Sequence, residues 1–509
     1  MKKEVLIPLM AALLAAKFAI DHVGDVDLFW HLRLGLDLLT SGAFAEKPPY
    51  TWTFDAPWPA FDWLSQLVMG GAFKIGGYLG LALGKAFLAI AIALCLYRAA
   101  LLRANGNARA AGLALFLTIF LLAANFSSRP LFLAHCLLAL EILILEEARS
   151  GRRWPLALLP PMFVLWGNLH GSWPFGLGPI AVFTAECLAP LRFKFWRPIA
   201  LDALTPTGSD AGQDNPPGDL IERARRWVVS RAFVPANPLL ALSGALAFVG
   251  CLLAQLCTPD PARFIARPFQ WIGQNTEVWM TEWAAVPADH PAFWLLWLAF
   301  GLIALALIRG RRPRSLIEVI FVALTFAMAL AKFRLITCFA IPALPLLAGL
   351  LSERVSPEGF QNRRANAALA CVSALLLGGV SCLNLARADE LAEGVVPRSA
   401  VDALEQSGRS QERGFNYFDW GGYLVLRQIP TFVDGRLEPF EANGTLGDYM
   451  RVEHEADIAW LENRGVTWIL TRADLPLAQA LLRRDGWSLA HKSQDESGAE
   501  LWLREVSSR

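Results

Sequence analysis

Charge is what this sequence has least of. Only 18% of its 509 residues are Asp, Glu, Lys or Arg, where a soluble chain carries roughly a quarter. That shortage excludes a string of ordinary soluble domains. The charges that are present nearly cancel, 46 basic against 45 acidic, so no basic field draws nucleic acid to the chain. The eight cysteines, at 95, 136, 187, 251, 257, 338, 371 and 382, lie in or beside apolar runs. They have neither metal-ligand spacing nor the pattern of a disulfide framework, and so say nothing about redox compartment. There is no internal repeat of fixed period. What is abundant is apolar: 55% hydrophobic residues, with 31 Phe and 19 Trp, too many for a disordered chain. The class left is a polytopic α-helical membrane protein.

A bilayer core calls for about 20 mostly apolar residues per helix. Eleven such runs occur, at 4–20, 79–102, 108–125, 130–147, 155–169, 173–191, 237–257, 291–309, 315–331, 335–351 and 365–385. The first lacks a small-residue cleavage site and runs into an acidic loop, so it reads as a helix that is kept. Residues 61–78 read as a re-entrant or interfacial helix, or as loop. With the N-terminus in the cytoplasm, the inside loops hold 22 Lys/Arg and the outside loops 8. That bias predicts N-terminus in and C-terminus out, across the inner membrane of a bacterium. Residues 1–385 form the membrane domain in this reading. Residues 386–509, of ordinary polarity, form a small periplasmic α/β domain, with strands expected at 414–418, 431–433, 466–471 and 499–503 and helices at 419–428, 454–464 and 475–485. The loop 200–222 is rich in Pro, Gly and Asp and reads as a flexible cytoplasmic linker.

The first outside loop opens Asp21-His-Val-Gly-Asp25-Val-Asp27-Leu-Phe-Trp-His31-Leu-Arg33. Carboxylates two residues apart can share a divalent ion, or one can act as general base on a hydroxyl. An acidic turn that merely caps a helix has the same spacing. Phe29–Leu39 has an apolar face at helical spacing, expected to lie in the membrane interface. Trp52, Trp58 and Trp63 read as an aromatic belt at headgroup level.

The segment Asp27-Leu-Phe-Trp-His31-Leu-Arg33 resembles the one that follows the first helix in catalytic subunits of oligosaccharyltransferases, members of the GT-C superfamily of membrane glycosyltransferases. A second resemblance is Tyr417-Phe418-Asp419-Trp420-Gly421-Gly422-Tyr423. The family's Trp-Trp-Asp-Tyr-Gly motif stands at the matching place, in an extracytoplasmic domain after the last helix, where it binds the acceptor sequon. Three aromatics are exchanged here, so asparagine-linked transfer is not implied, and Trp420 and Tyr423 can equally pack the domain core. A third is Thr281-Glu282 in the loop 258–290. It is similar to a Thr-x-x-Glu-like element that contributes a metal ligand or acceptor contact, with Glu282 as first candidate and Glu277 as second. The resemblance implies a GT-C fold and a polyprenyl-phosphate-linked donor, with an essential Asp in the first loop, Asp25 or Asp27. It also brings up a bound Mg or Mn held by Asp25, Asp27 and Glu282. The family's further Asp-containing metal motif has no counterpart in Asn125-Phe-Ser-Ser-Arg129-Pro, which puts metal dependence in doubt.

A lipid phosphate needs cations. Arg129, Lys332 and Arg334 open helices on the outside, where Arg suits bidentate phosphate contact and a snorkelling cation would sit as well. His170, beside Asn168, is a candidate for phosphate or sugar. Arg436, after an Asp434-Gly435 turn, is a candidate for an acid or a phosphate. The unusual polar groups thus gather on one side, and polar groups spread along a mid-bilayer path, as in a carrier, are not evident. The expected function is inverting sugar transfer from a polyprenyl-linked donor to a protein, lipid or glycan acceptor. The alternatives are a Wzy-type polymerase or ligase of surface polysaccharide, and a non-catalytic assembly or transport partner.

Overall fold

The computed structural model describes residues 3–59, 61–188, 192–193, 237–270, 281–310, 314–357 and 363–505. The linker expected at 200–222, and Glu277, lie outside the described residues. The helices of the first part are α1 (Lys3–Asp21), α2 (Leu28–Ser41), α3 (Trp63–Arg103), α4 (Ala108–Ala123), α5 (Pro130–Arg149), α6 (Leu159–Leu169), α7 (Trp173–Leu188), α8 (Pro238–Ala254), α9 (Pro261–Gln270), α10 (Pro291–Ile308), α11 (Leu316–Ala331), α12 (Ile336–Leu351) and α13 (Arg363–Ala386). Among the described residues, each of the apolar runs read from the sequence overlaps a helix. Among the described residues, four helical stretches, Trp63–Arg103, Pro238–Cys257, Pro291–Ile308 and Phe333–Leu351, are long and apolar enough to cross a membrane, and four more are apolar but shorter.

The helix starts are written in the sequence. The Asn107 and Asn237 side chains accept from the amides of Ala110 and Leu240, and the Ser315 hydroxyl accepts from the amide of Glu318. Each satisfies a backbone donor that the first turn of a helix would leave unpaired. Pro130, Pro238 and Pro291 stand at first helical positions, where the missing N–H is not needed. The core between α1, α3 and α4 is built from alanines, among them Ala11, Ala15, Ala19, Ala89, Ala93, Ala100 and Ala111, all fully buried or nearly so. Small side chains let helix backbones approach closely where lipid supplies no hydrophobic drive.

Residues 63–75 are helical, and the helix breaks at Gly76 and Gly77, the latter at φ 57°. The first segment of α3 supports α2, and the two backbones touch at Gly35 and Gly70. A Cβ on Gly35 would lie 1.9 Å from the Gln66 carbonyl oxygen, and one on Gly70 would lie 2.7 Å from the Gly35 carbonyl carbon. The interfacial expectation for 29–39 is corrected here. Phe29, Trp30, His31, Leu32 and Leu34 are buried, because the C-terminal domain covers the face that would have met lipid.

The C-terminal domain carries a four-stranded sheet in the order β3-β4-β6-β5, from β3 (Gly414–Asn416), β4 (Trp468–Arg472), β5 (Trp487–Lys492) and β6 (Ala499–Arg504). The only other strands among the described residues are the short antiparallel pair β1 (Arg192–Phe193) and β2 (Arg314–Ser315). Strand β3 runs parallel to β4, with Phe415 opposite Ile469. Strands β5 and β6 are antiparallel neighbours. Around the sheet lie α14 (Ala388–Glu393), α15 (Arg398–Gln406), α16 (Gly421–Leu426), α17 (Leu437–Ala442), α18 (Thr445–Glu455), α19 (Ile458–Asn463) and α20 (Pro476–Leu481).

Residues 431–433, expected as a strand, form no sheet strand. Thr431 makes an isolated bridge with Thr51 of the first loop. The Asn416 amide supplies the ladder bonds instead, donating to the Val433 carbonyl and accepting from the Phe432 amide, both at 2.8 Å. The helix expected at 454–464 is two helices broken at Ala456, which stands at φ 56°.

Candidate active site

Five parts of the chain meet over one cavity of about 730 Å³. Its walls take Asp27, His31 and Trp58 from the first loop and α2, and Arg129 and His135 from α5. His170 and Ser172 come from the turn before α7, Lys332 and Arg334 from the turn before α12, and Gly435 and Arg436 from the C-terminal domain. A smaller apolar groove of about 150 Å³ continues from it, lined by Phe321, Thr325, Gly178 and Pro342 and sharing Leu138, Phe175 and Met328 with the large cavity.

Asp27 stands where α2 begins. One of its oxygens accepts from Trp30 Nε1 at 3.2 Å and the other lies 3.2 Å from Arg129 Nη1. Its side chain is 15% exposed. Burial pushes its carboxyl up, Arg129 pulls it down, Asp25 and Glu282 push it up again, and the balance is about 6. That is a good value for a base working near neutral pH.

Arg129 begins α5. Its Nε lies 2.9 and 2.8 Å from the two oxygens of Asp25, and its Nη1 lies 3.0 Å from Glu282 Oε1. Burial works against its charge, but Asp27, Asp25 and Glu282 outweigh burial and hold the guanidinium charged. Arg334 pairs with the same oxygen of Glu282, stacks over Trp283 at 5.5 Å, and its Nη2 lies 3.4 Å from His170 Nε2. Burial raises Glu282, yet Arg334 and Arg129 bring it below the ordinary carboxylate value. The other ring nitrogen of His170 accepts from the Ser172 amide at 3.0 Å. Burial and the surrounding cations hold both His31 and His170 neutral, well below the usual histidine value.

Two neighbours were not among the sequence candidates. Asp62 and Arg267 form an ion pair at 3.6 Å on the cavity wall, and Arg267 lies 4.0 Å over the Phe61 ring. Their signal was present, a lone charge on each side of an apolar stretch, but their pairing across two hundred residues was not.

The C-terminal domain closes the cavity. Arg436 is fully buried. It clasps Asp434 through Nε at 2.7 Å and Nη2 at 2.6 Å, and its Nη2 also donates to the Pro49 carbonyl at 2.9 Å. So Arg436 meets an acid of its own turn, while Nη1, on the same guanidinium, has no hydrogen-bond partner. Gly435 is pressed against Asp27, and a Cβ there would fall 1.9 Å from Asp27 Oδ1.

Other candidates stand elsewhere. Arg33 pairs with Asp37 one turn on, outside the cavity wall. Trp420 is buried in the core, its ring 5.0 Å from that of Tyr417. Asp419 is also away from the wall, its carboxyl raised by burial against Tyr417 and Arg472. The motif 417–423 joins the domain to the first loop. A Cβ on Gly422 would meet the Val26 carbonyl oxygen at 2.5 Å, and the Tyr423 ring packs on Phe29 at 5.2 Å. The tryptophans expected as a headgroup belt are tied into the protein as well. Trp52 donates to the Gly414 carbonyl, Trp63 to Asn168, and Trp58 is buried.

Asp25, Asp27 and Glu282 are the set through which Mg or Mn would be held, but all three already face one guanidinium. With Arg129 in place, the set does not fit a divalent ion.

No protein-family model matches the chain, and no curated protein matches it in sequence. Solved structures do match in fold. The Archaeoglobus fulgidus oligosaccharyltransferase in its apo form aligns over 92% of this chain and 70% of that one, with TM-score 0.56 and 12% identity. The archaeal oligosaccharyltransferase AglB from the same organism, in complex with an inhibitory peptide and a dolichol-phosphate, aligns over 92% and 69%, with TM-score 0.54 and 13% identity. ArnT from Cupriavidus metallidurans, bound to undecaprenyl phosphate, aligns over 99% and 98%, with TM-score 0.50 and 14% identity. The chain therefore shares the fold of these solved structures, with a small C-terminal sheet domain.

Proposed function

We propose that this protein is a membrane glycosyltransferase that moves a sugar, with inversion, from a polyprenyl-phosphate-linked donor to an acceptor on the outer face of a bacterial inner membrane. The observation that carries this reading is the cavity, which joins a carboxylate and a row of cations to an apolar groove between helices. A charged head and a long apolar tail need those two surfaces side by side. The solved complexes of the shared fold with dolichol-phosphate and undecaprenyl phosphate support the same class of ligand.

In this mechanism Asp27 takes the proton of the acceptor hydroxyl as its oxygen attacks the anomeric carbon. The bond from that carbon to the phosphate oxygen breaks on the opposite face, which inverts the centre. The departing lipid phosphate takes the electron pair, and Arg334 and Lys332 stabilise its charge. Neutral His31 and His170 are hydrogen-bond partners for sugar hydroxyls. Arg129, expected in the phosphate clamp, faces carboxylates instead. The C-terminal domain holds Gly435 and Arg436 against the site.

The experiment is donor-dependent labelling. Purified protein in vesicles is given a labelled undecaprenyl-phosphate sugar and an envelope extract as acceptor. Transfer of label that Asp27→Asn abolishes supports the reading. No transfer from any sugar tried, with tight binding of undecaprenyl phosphate retained, favours a non-catalytic partner that kept the fold.

A further inference from the structure

The carboxylates around Arg129, one on the cavity wall and two behind it, have a role that the transfer chemistry leaves open. Asp25 and Asp27 come from the first loop and Glu282 from the loop before α10. Their oxygens meet within 2.8–3.2 Å of one guanidinium. Three converging carboxylates are the donor set of a hard divalent cation. Side chains so little exposed, 8%, 15% and 21%, repel each other and lose hydration unless a cation lies among them. Here that cation is covalently part of the chain.

We propose that Arg129 is a built-in cation that takes the place of a divalent metal among Asp25, Asp27 and Glu282, so that this site works without one.

The backbone around Arg129 fixes it for this. It precedes Pro130, and its φ of −121° and ψ of 161° are the extended values that a following proline favours. The side chain thus leaves from the rigid start of a helix rather than from a free loop. The neighbouring segment is tied down independently. Lys85 of α3 donates to the carbonyls of His22 and Phe126, at 2.6 and 2.8 Å, and to the Ser128 hydroxyl at 3.0 Å. It thereby holds the chain just before Asp25 to the chain just before Arg129.

The geometry leaves no room for both cations. Asp25 turns both oxygens to Nε, and Asp27 and Glu282 share Nη1. A guanidinium keeps its charge at any working pH and has a planar set of donors, so the carboxylates stay in place without an ion from solution. Arg129 is then a positioning residue. It keeps Asp27 ionised against burial and holds its Oδ2, leaving Oδ1 on the side of Trp30 and Gly435. The inference rests on the proposed transferase reading only where transfer is measured. Metal binding is read with neither donor nor acceptor present.

The test is Mn²⁺ binding to the full chain in detergent, followed by electron paramagnetic resonance. Wild type should take up no tightly bound Mn²⁺. Arg129→Gln, checked for folding by its melting temperature, should gain one Mn²⁺ bound about tenfold or more tighter than anything in wild type, and Glu282→Gln added to it should remove that ion. In the transfer assay a chelator should leave wild type unchanged. Arg129→Gln should move the acid limb of the rate to higher pH, because Asp27 loses the cation that holds it down. The proposal is overturned if wild type holds one Mn²⁺ that Glu282→Gln releases, or if folded Arg129→Gln binds no more than wild type does. If Arg129→Gln does not fold, the wild-type titration decides alone. If no transfer is seen at all, the binding result still stands or falls separately from the transferase reading.

Discussion

The helices α5, α7 and α11 carry clusters of ionic groups at both ends, and the two clusters differ in what they face. At one end Arg129, His170, Arg334 and Asp27 line the large cavity, with Asp25 and Glu282 paired to the arginines behind them. At the other, Arg149 pairs with Glu146 at 2.6 Å and with Glu186 at 2.5 Å, and Arg103 pairs with Glu318 and lies 3.6 Å from Glu146. No residue of that second cluster lines the cavity. Both clusters are arginines among glutamates or aspartates, so ion pairing alone does not mark a site. The second cluster closes on itself and ties helix ends together. Arg103 Nε of the second cluster also lacks a hydrogen-bond partner but does not line the cavity, whereas the first cluster borders open space, and on its wall the Nη1 of Arg436 and the Nδ1 of His31 are buried with none. Buried polar groups are nearly always satisfied, so a ligand is the natural partner for these two.

Substitutions can break or sharpen that contrast. The largest effect is expected from Asp27→Asn, which keeps the shape and removes the base. Transfer should fall roughly 10²–10⁴-fold while the melting temperature stays near wild type, and a rate within twofold of wild type would refute the base. Arg149→Ala is its counterpart in the closed cluster. Leaving buried carboxylates without their cation costs about 3 kcal/mol of stability, seen as a lower denaturation midpoint, with the turnover of the folded fraction unchanged. Arg334→Ala should weaken the affinity for undecaprenyl phosphate roughly ten- to hundredfold, the loss of one charge-assisted contact of about 1.5–3 kcal/mol. Arg334→Lys should recover only part of that, since the planar fork is lost. The smallest effect is expected at Asp419, away from the cavity. Asp419→Asn should change transfer by about twofold or less, the range of a substitution worth 0.5 kcal/mol or so, and a large loss there would move the acceptor contact back to the motif 417–423.

Much of this site was legible in the sequence because membrane chains ration charge. Against long apolar runs, Asp25, Asp27, Arg129, His170, Lys332 and Arg334 stand out singly, and all but Asp25 appear on one wall. The helices were legible for the same reason. Periodicity and run length are local, and so are the caps at Asn107 and Ser315. Partners were not. That Arg129 would turn to Asp25, Asp27 and Glu282 rather than outward to a phosphate depends on contacts across more than a hundred residues. So does the burial of α2, whose apolar face reads the same whether lipid or a protein domain covers it. The strand expected at 431–433 failed because one side chain, Asn416, replaced a backbone neighbour. Trp420 and Tyr423 kept the aromatic types of a binding motif while packing as core, an ambiguity that composition cannot resolve.

The central claim is that Asp27, held between burial and Arg129, is the base of a sugar transfer in this cavity. The most direct measurement is kcat/KM for undecaprenyl-phosphate sugar from pH 5 to 8, in vesicles, for wild type and Asp27→Asn. Burial raises the Asp27 carboxyl to about 6, and only its ionised form accepts a proton. The wild-type rate should therefore level off above pH 6 and fall about tenfold for each unit below it, while the residual rate of Asp27→Asn shows no such limb. A flat wild-type profile, or the same limb in both proteins, would contradict the account.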